Sequence, residues 1–298
     1  MIAYSASESY PIAESQTPPP PPLTPVQILE ELRQFCSQGD FQRFKKTLDS
    51  SFIGLSPHHS TIFDLSEIMV QVIKTGRTCF VKELLRHGLP ILPVYVYEAT
   101  KAHAKGILGS FLENGWDINQ PMGPMHPPIL SNALDNLEMT TWLLENGADP
   151  NRRCDIDFTP LSHAVEHASL PIVNLLLSRG GDVTKGQVLH HAVARESDTV
   201  AVLKLLIARG APINAIMYRD HQPSWNMNFF MGETPLHKAV FLRKIDVIHY
   251  LLSEGADLNV RDVRNRTVTQ CADEYLLREI TKTHDTTNSA FPEISLHQ

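Results

Sequence analysis

The sequence predicts an all-α protein of stacked helix–turn–helix units joined by short hairpin loops, and three observations carry that prediction. The first is residues 232–262, GETPLHKAVFLRKIDVIHYLLSEGADLNVRD. Thr234 can cap a helix that Pro235 begins, because the missing N–H of proline costs nothing in the first turn. Leu236, Ala239 and Val240 mark the apolar face of this short helix, and Ile245, Val247, Ile248, Leu251 and Leu252 recur at helical spacing in a second. Gly255 stops that second helix as a left-handed C-cap residue. The second observation is a fixed offset: Ala239, Ala164 and Ala99 each lie 16 residues before Gly255, Gly180 and Gly115. The third is composition, since 42% hydrophobic and 20% charged residues suffice for a core while 7% aromatics suit small helices better than a β-sandwich.

Taken in order, residues 1–24 are rich in Ser, Glu and Pro and end in a run from Pro18 to Pro22. Such a segment buries too little apolar surface to offset its ordering entropy, and we expect a disordered tail. From Val26, the residues Ile28, Leu29, Leu32 and Phe35 precede Gly39-Asp40 and then Phe41, Phe44 and Leu48, which reads as helix, tight turn, helix. The unit ending at Gly88 has Val72 at the alanine offset and Gly76-Arg77 at its inter-helix turn. Before Gly115 the pattern weakens, with Pro90, Pro93 and Tyr95 to Tyr97 where hairpin residues are expected. Gly147 has Ala133 only 14 residues back, which shortens its turn; Gly210 has Ala192 18 back, which lengthens the turn Arg195-Glu196-Ser197-Asp198. In the last unit Asn265 takes the place of a turn glycine, as the best non-glycine residue for a left-handed conformation. Tyr275, Leu276, Leu277 and Ile280 then give a helix that becomes polar at Thr281, and residues 286–298 read as a flexible tail.

The T-P-L-H-x-A string of residues 234–239, with its Gly-Ala-Asp-Leu-Asn tail, resembles the ankyrin repeat. About eight units of roughly 33 residues would fill residues 25–285 as one ankyrin-repeat domain. The likeness is strongest in the units of Gly147, Gly180, Gly210 and Gly255 and weakest before Gly115. A single unit cannot bury its apolar face, so stacking must build the core. The resemblance implies that His237 and the pair His190-His191 make structural hydrogen bonds at helix starts. It also implies a protein partner held by the hairpin tips and by the exposed face of each first helix, along a concave groove. On this chain those positions are Arg152, Arg153, Asp155 and Ile156 at one tip and Arg261, Asp262, Val263 and Arg264 at another. The helix positions are Glu166 and His167, Ala194 and Arg195, and Phe241 and Leu242.

Gly210 and Gly255 are 45 residues apart, and the excess over a repeat falls in residues 216–231, IMYRDHQPSWNMNFFM. A loop insertion costs little closure entropy. One holding Tyr218, Trp225, Phe229 and Phe230 besides Met217, Met227 and Met231 has no reason to lie open to water. Two readings follow: it folds over its own groove and caps Phe241 and Leu242, or it presents Trp225 and Phe230 as binding anchors.

Other chemistry finds less support. The net charge of −7 gives no footprint for nucleic acid. Cys36, Cys79, Cys154 and Cys271 are scattered with no C-x-x-C pair, which suits free, buried thiols in a reducing compartment. Without a signal-like start or a membrane-length apolar run, the expected location is cytoplasmic, nuclear or both, and the Asn265-Arg266-Thr267 sequon stays unglycosylated. His163-Ala164-Val165-Glu166-His167 is an H-x-x-E-H string that would put two zinc ligands on one helix face, with Glu166 to activate a water. That makes a zinc-dependent hydrolase the alternative reading. Against it, the string falls in register with a first helix, and no third ligand is recognisable. Asp155 and Asp157 read as solvated turn residues, and neither a P-loop nor a nucleophile elbow occurs. The expectation is therefore a monomeric, non-enzymatic scaffold or adaptor with no cofactor or metal. Its proline run, as polyproline II, could engage an SH3, WW or profilin-type domain.

Overall fold

The computed structural model describes residues 26–51, 65–228 and 232–289. The tail of residues 1–24 with its proline run, residues Phe229, Phe230 and Met231 of the insertion, and residues 290–298 lie outside the described residues. The chain divides into two compact units, Met1–Val72 with Cys79–Pro90, and Ile73–Thr78 with Ile91–Gln298.

The first unit holds α1 (Val26–Gln38) and α2 (Phe41–Ser51) with most of α3 (Ser66–Lys74) and α4 (Thr78–Arg86). Gly39, at φ +76°, makes the tight turn between the first two helices. The apolar faces read from the sequence point inward: Leu32, Phe44, Leu48 and Leu84 are fully buried. The Phe80 ring packs 4.8 Å from Phe44 and 5.3 Å from Phe41. Glu83 is buried here, and burial alone would raise its pKa. Hydrogen bonds from Arg86 and Lys45 outweigh that and hold its carboxyl below the usual range.

The second unit begins with α5 (Pro93–Lys101) and α6 (Lys105–Glu113). A two-stranded antiparallel ribbon, β1 (Pro121–Gly123) and β2 (His126–Pro128), leads into a 3₁₀ helix, Ile129–Asn132, and α7 (Leu137–Glu145). Then come α8 (Pro160–His167) and α9 (Leu170–Ser178), α10 (Val188–Ala194) and α11 (Thr199–Ile207). A short α12 (Gln222–Asn228) lies in the insertion, followed by α13 (Pro235–Phe241), α14 (Ile245–Ser253), α15 (Val268–Cys271) and α16 (Glu274–Ser289). With the 3₁₀ helix counted as a shortened first helix, the described residues form eight helix pairs. The fold is an all-α ankyrin-type solenoid arrangement of helix–turn–helix units, with the ribbon as its small β element.

Stacking in the second unit runs first helix on first helix, from α5 to the 3₁₀ helix, α8, α10, α13 and α15. Among the second helices, α7 meets α9, and α14 meets both α11 and α16. The repeated alanine sits where first helices meet: Ala99, Ala164, Ala192 and Ala239 have no exposed surface. Leu161, Leu176, Leu203 and Leu251 fill the space between the layers, each burial contributing about 1.5–3 kcal/mol.

The asparagine that follows Gly115, Gly147 and Gly210 by four residues has a mechanical explanation. Asn119 donates from Nδ2 to the Gly147 carbonyl and accepts from the Asp149 N–H; Asn151 does the same with Gly180 and Asp182. Asn214 accepts from the Asp257 N–H across the insertion. The histidines play the structural part that the resemblance implies. His237 shares a hydrogen with Thr234 Oγ1 through Nδ1 (2.8 Å) and donates from Nε2 to the Arg266 carbonyl (3.1 Å). His190 Nε2 donates in the same way to the Glu233 carbonyl at 2.8 Å. In the Thr159 unit Ser162 replaces that histidine and donates to the Gly186 carbonyl. Gly186 sits at φ +68°, and a Cβ there would come within 2.1 Å of Ser162 Oγ, so this close approach requires glycine.

The described part of the insertion, residues 216–228, does not lie where the capping reading put it. Phe241 remains 80% exposed, and the described part of the insertion packs elsewhere. Ser224 Oγ, fully buried, accepts the Asp157 N–H at 2.6 Å and donates to His221 Nδ1. Asp157, expected as a solvated turn residue, is only 2% exposed, while its neighbour Asp155 is exposed. Its carboxylate accepts from Arg153 Nε, the Gly186 N–H and Gln187 Nε2. Asp157 thus ties its own hairpin to the next one and to the insertion. Of the cysteines, Cys36 and Cys154 are buried and Cys271 half-buried, but Cys79 is exposed, contrary to expectation; all are free thiols. No described helix is long and apolar enough to cross a membrane.

Candidate functional site

Two adjoining depressions in the second unit form where the repeat pattern is irregular. Proline at the first position of α5 fixes the helix start, and Val94 and Tyr97, three residues apart, share its outward face. Because Ala133 lies so close to Gly147, the next unit has room only for a 3₁₀ turn. The ribbon projects beside it, pairing Gly123 with His126 and holding Met125 at its tip, 57% exposed. Met122, Met125, Val94, Tyr97 and Phe158 line a depression of about 510 Å³. Ser131, Asn132 and His163 are shared with an adjoining one of about 390 Å³, which Asp135, His167 and Ser169 extend. The cleft is therefore apolar at one end and polar at the other.

A chain of imidazoles leads from its polar end. His163 Nδ1 donates to the Ser131 carbonyl (3.0 Å), and burial pushes its pKa down, so the ring is neutral and Nε2 is an acceptor. One helical turn on, the His167 ring stands edge-on to it at 4.8 Å. Glu166 accepts from His191 Nδ1 at 2.6 Å, a bond that holds the Glu166 carboxyl below its usual range. Burial keeps His191 itself neutral, against the pull of that carboxylate, and its buried Nε2 has no protein partner. Half-buried Lys238, its pKa lowered by burial, feels Glu166 and Glu233 across this network.

The H-x-x-E-H string is thus divided among structural contacts. His163 serves Ser131, Glu166 serves His191, and His167 Nε2 lies 3.7 Å from Glu166. Among the described residues, two other triplets converge closely enough to be considered for a metal: His237, Asp262 and Cys271, and Asp49, Glu83 and His87. In the first, both His237 nitrogens are engaged and Asp262 accepts from Arg266 and from the Arg264 N–H. In the second, Lys45 and Arg86 already neutralise the carboxylates. These are internal networks, and nothing in them or in the comparisons below supports the zinc hydrolase.

The other sequence-selected positions separate by burial. Arg152, Asp155, His167, Phe241, Leu242, Arg261 and Arg264 reach the surface, and Arg153 and Trp225 are half-buried. Arg152, Arg153 and Asp155 come together with Lys185 around a polar depression of about 440 Å³ at the hairpin tip. Four sequence-selected positions, Arg195, Tyr218, Ile156 and Asp262, are not on the surface. Arg195 is 5% exposed, because the long turn folds its guanidinium back to the Ser197 and Val165 carbonyls. Tyr218 is 6% exposed at φ +64°, and burial pushes its phenol up to about 12. Ile156 is buried as well, and Phe229 and Phe230 lie outside the described residues. Sequence reading missed Val94, Tyr97, Met122 and Met125. Their only signal was the disturbed repeat before Gly115 and the proline-flanked Met122 and Met125.

Comparison with known proteins bears most directly on residues 133–262. A family model described as ankyrin repeats (3 copies) matches residues 182–262, and another, ankyrin repeats (many copies), matches residues 133–177. The ankyrin repeat protein nuc-2 of Neurospora crassa is 32% identical over 142 residues, 47% of this chain and 12% of that protein. The chain therefore spans a small part of that relative's length. The ankyrin repeat protein FPV230 of fowlpox virus is 27% identical over 184 residues, 58% of this chain and 88% of the viral one. The crystal structure of the human ASB11 ankyrin repeat domain superposes with a TM-score of 0.52 at 20% identity, covering 72% of this chain and 96% of that one.

Proposed function

The chain is an ankyrin-repeat protein, and on that premise we propose that it works as a non-enzymatic interaction module, a scaffold or adaptor that binds a protein partner. The observation that carries this reading is the set of large apolar side chains left in water on the first-helix side: Val94 and Tyr97 on α5, and Phe241 and Leu242 at the end of α13. Aromatic residues are enriched at interfaces, and tyrosine is among the side chains that dominate binding energy when a partner desolvates them. In this reading the tip residues Arg152, Arg153, Asp155, Arg261 and Arg264 supply a polar rim, and His167 and Trp225 add to the contact surface. The run from Pro18 to Pro22 offers a second contact for an SH3, WW or profilin-type domain. Scattered free thiols fit work in the cytoplasm or nucleus.

The test is photo-crosslinking in the native cell, with a benzophenone amino acid placed singly at 97, 167, 241 and, as control, at exposed Lys204 on α11. The expected result is a shared protein adduct from the first three positions and none from 204. Equal labelling from 204, or no adduct from a folded protein at any position, overturns the module reading. Deletion of residues 1–24 with every adduct retained removes the proline run from the contact.

A further inference from the structure

We infer that the cleft between α5, the ribbon and α8 receives an extended segment of a partner protein that carries a bulky apolar side chain and, nearby, a lysine or arginine. This rests on the interaction-module reading and names the class of segment it would bind. The apolar end, with Val94, Tyr97, Met122 and Met125, offers flexible thioethers beside an aromatic ring, a lining that adapts to an unbranched or aromatic anchor. The polar end mixes groups that donate and accept, Asn132, His167 and Ser169, with acceptors at Asp135 and His163. Asp135 is the carboxylate of the lining, and no lysine or arginine belongs to it. His163 spends its proton on the Ser131 carbonyl and has only a lone pair left on Nε2. Behind His167, Glu166 stays ionised through its bond to His191. Lys238 offsets part of the Glu166 charge, so the excess negative charge of the lining is that of Asp135, and it fits a cationic donor group, as charge complementarity requires.

The same charge rule separates a partner from the segments of the chain outside the described residues. Residues 1–25, 52–64 and 290–298 contain no lysine or arginine. They can supply an apolar anchor but not the lysine or arginine. The geometry therefore points outward, to another protein.

The experiment pans a random linear peptide library against the full chain and measures enriched peptides, synthesised with a fluorophore, by anisotropy. Enriched sequences should pair Leu, Met or Phe with Lys or Arg. Val94→Asp and Met125→Asp, both at exposed positions, should weaken binding about tenfold or more. Asp135→Asn should weaken it less, and Asp135→Lys should be rescued by a peptide whose arginine is replaced by glutamate. Circular dichroism and urea midpoints unchanged from the parent establish that each variant is folded. Enrichment of acidic peptides, or of none, overturns the inference. So does binding that ignores the cleft variants but is lost with Phe241→Ala, an outcome that leaves the module reading intact. Two further results would name a different occupant and sink it: a dimer by light scattering that Val94→Asp dissolves, or tighter peptide binding after deletion of residues 1–25.

Discussion

At the scale of single residues, identical glycines carry very different loads. Gly186 and Gly210 both have positive φ, +68° and +85°. A methyl group at 210 meets open space, whereas at 186 it collides with Ser162 Oγ and with Thr159 Oγ1 at 2.7 Å. Both hydroxyls belong to a buried capping box at the start of α8 and cannot swing away without losing it. Gly210→Ala should cost about 1–2 kcal/mol for the left-handed backbone alone. Gly186→Ala adds the overlap and should cost about 2–4 kcal/mol. Urea midpoints of the two variants decide it, and equal shifts would mean that the Thr159 cap relaxes freely. Sequence alone exposed the turn glycines through their spacing. It could not rank them, because the crowding at 186 comes from a hydroxyl 24 residues earlier in the chain.

At the scale of elements, regular units were legible and irregular ones were not, for a physical reason. A first helix is written in its own residues: cap, proline, alanine, apolar stripe. The position of an insertion or a ribbon depends on what surface its neighbours leave uncovered. Residues 216–231 were recognisable as an insertion from the Gly210–Gly255 spacing, but their aromatic content suggested Phe241 as the target. The described part instead turns toward the hairpins at 157 and 186, because the buried Asp157 backbone needs an acceptor and Ser224 supplies it. Likewise, 14 residues between Ala133 and Gly147 foretold a short unit but not the 3₁₀ turn and ribbon that open the cleft. The clasp makes a clear prediction. Ser224→Ala strands the Asp157 N–H in a buried setting, which costs about 1–3 kcal/mol. Hydrogen exchange should speed up at residue 157 and its hairpin neighbours while α14 stays protected. Unchanged exchange at 157 would mean that the insertion merely rests there.

At the scale of the whole molecule, the stacked repeats bury histidines one after another, and this sets how the protein responds to acid. His163, His190, His191 and His237 all have pKa values lowered by burial, His190 to about 3. In the unfolded chain each imidazole binds a proton near pH 6.5. As pH falls below that value the unfolded state takes up protons that the folded state refuses, so stability, complete above about 6.5, is lost on the way down. Glu233 opposes this, since burial raises its pKa and the folded state then holds a proton the unfolded state lacks. It is one group against four. The carboxylates with lowered values, such as Glu166, Asp182 and Asp262, add their own losses only as pH approaches the ordinary carboxylate range. The melting temperature of the full chain should therefore begin to drop between pH 7 and 5, ahead of carboxylate titration. His190→Gln keeps an N–H for the Glu233 carbonyl but has no proton to gain, so it should flatten that part of the profile while leaving a comparable stability at pH 7.5. A melting temperature constant from pH 7 to 5, or a His190→Gln slope equal to that of the parent, would show that the buried imidazoles are not held neutral by the stack.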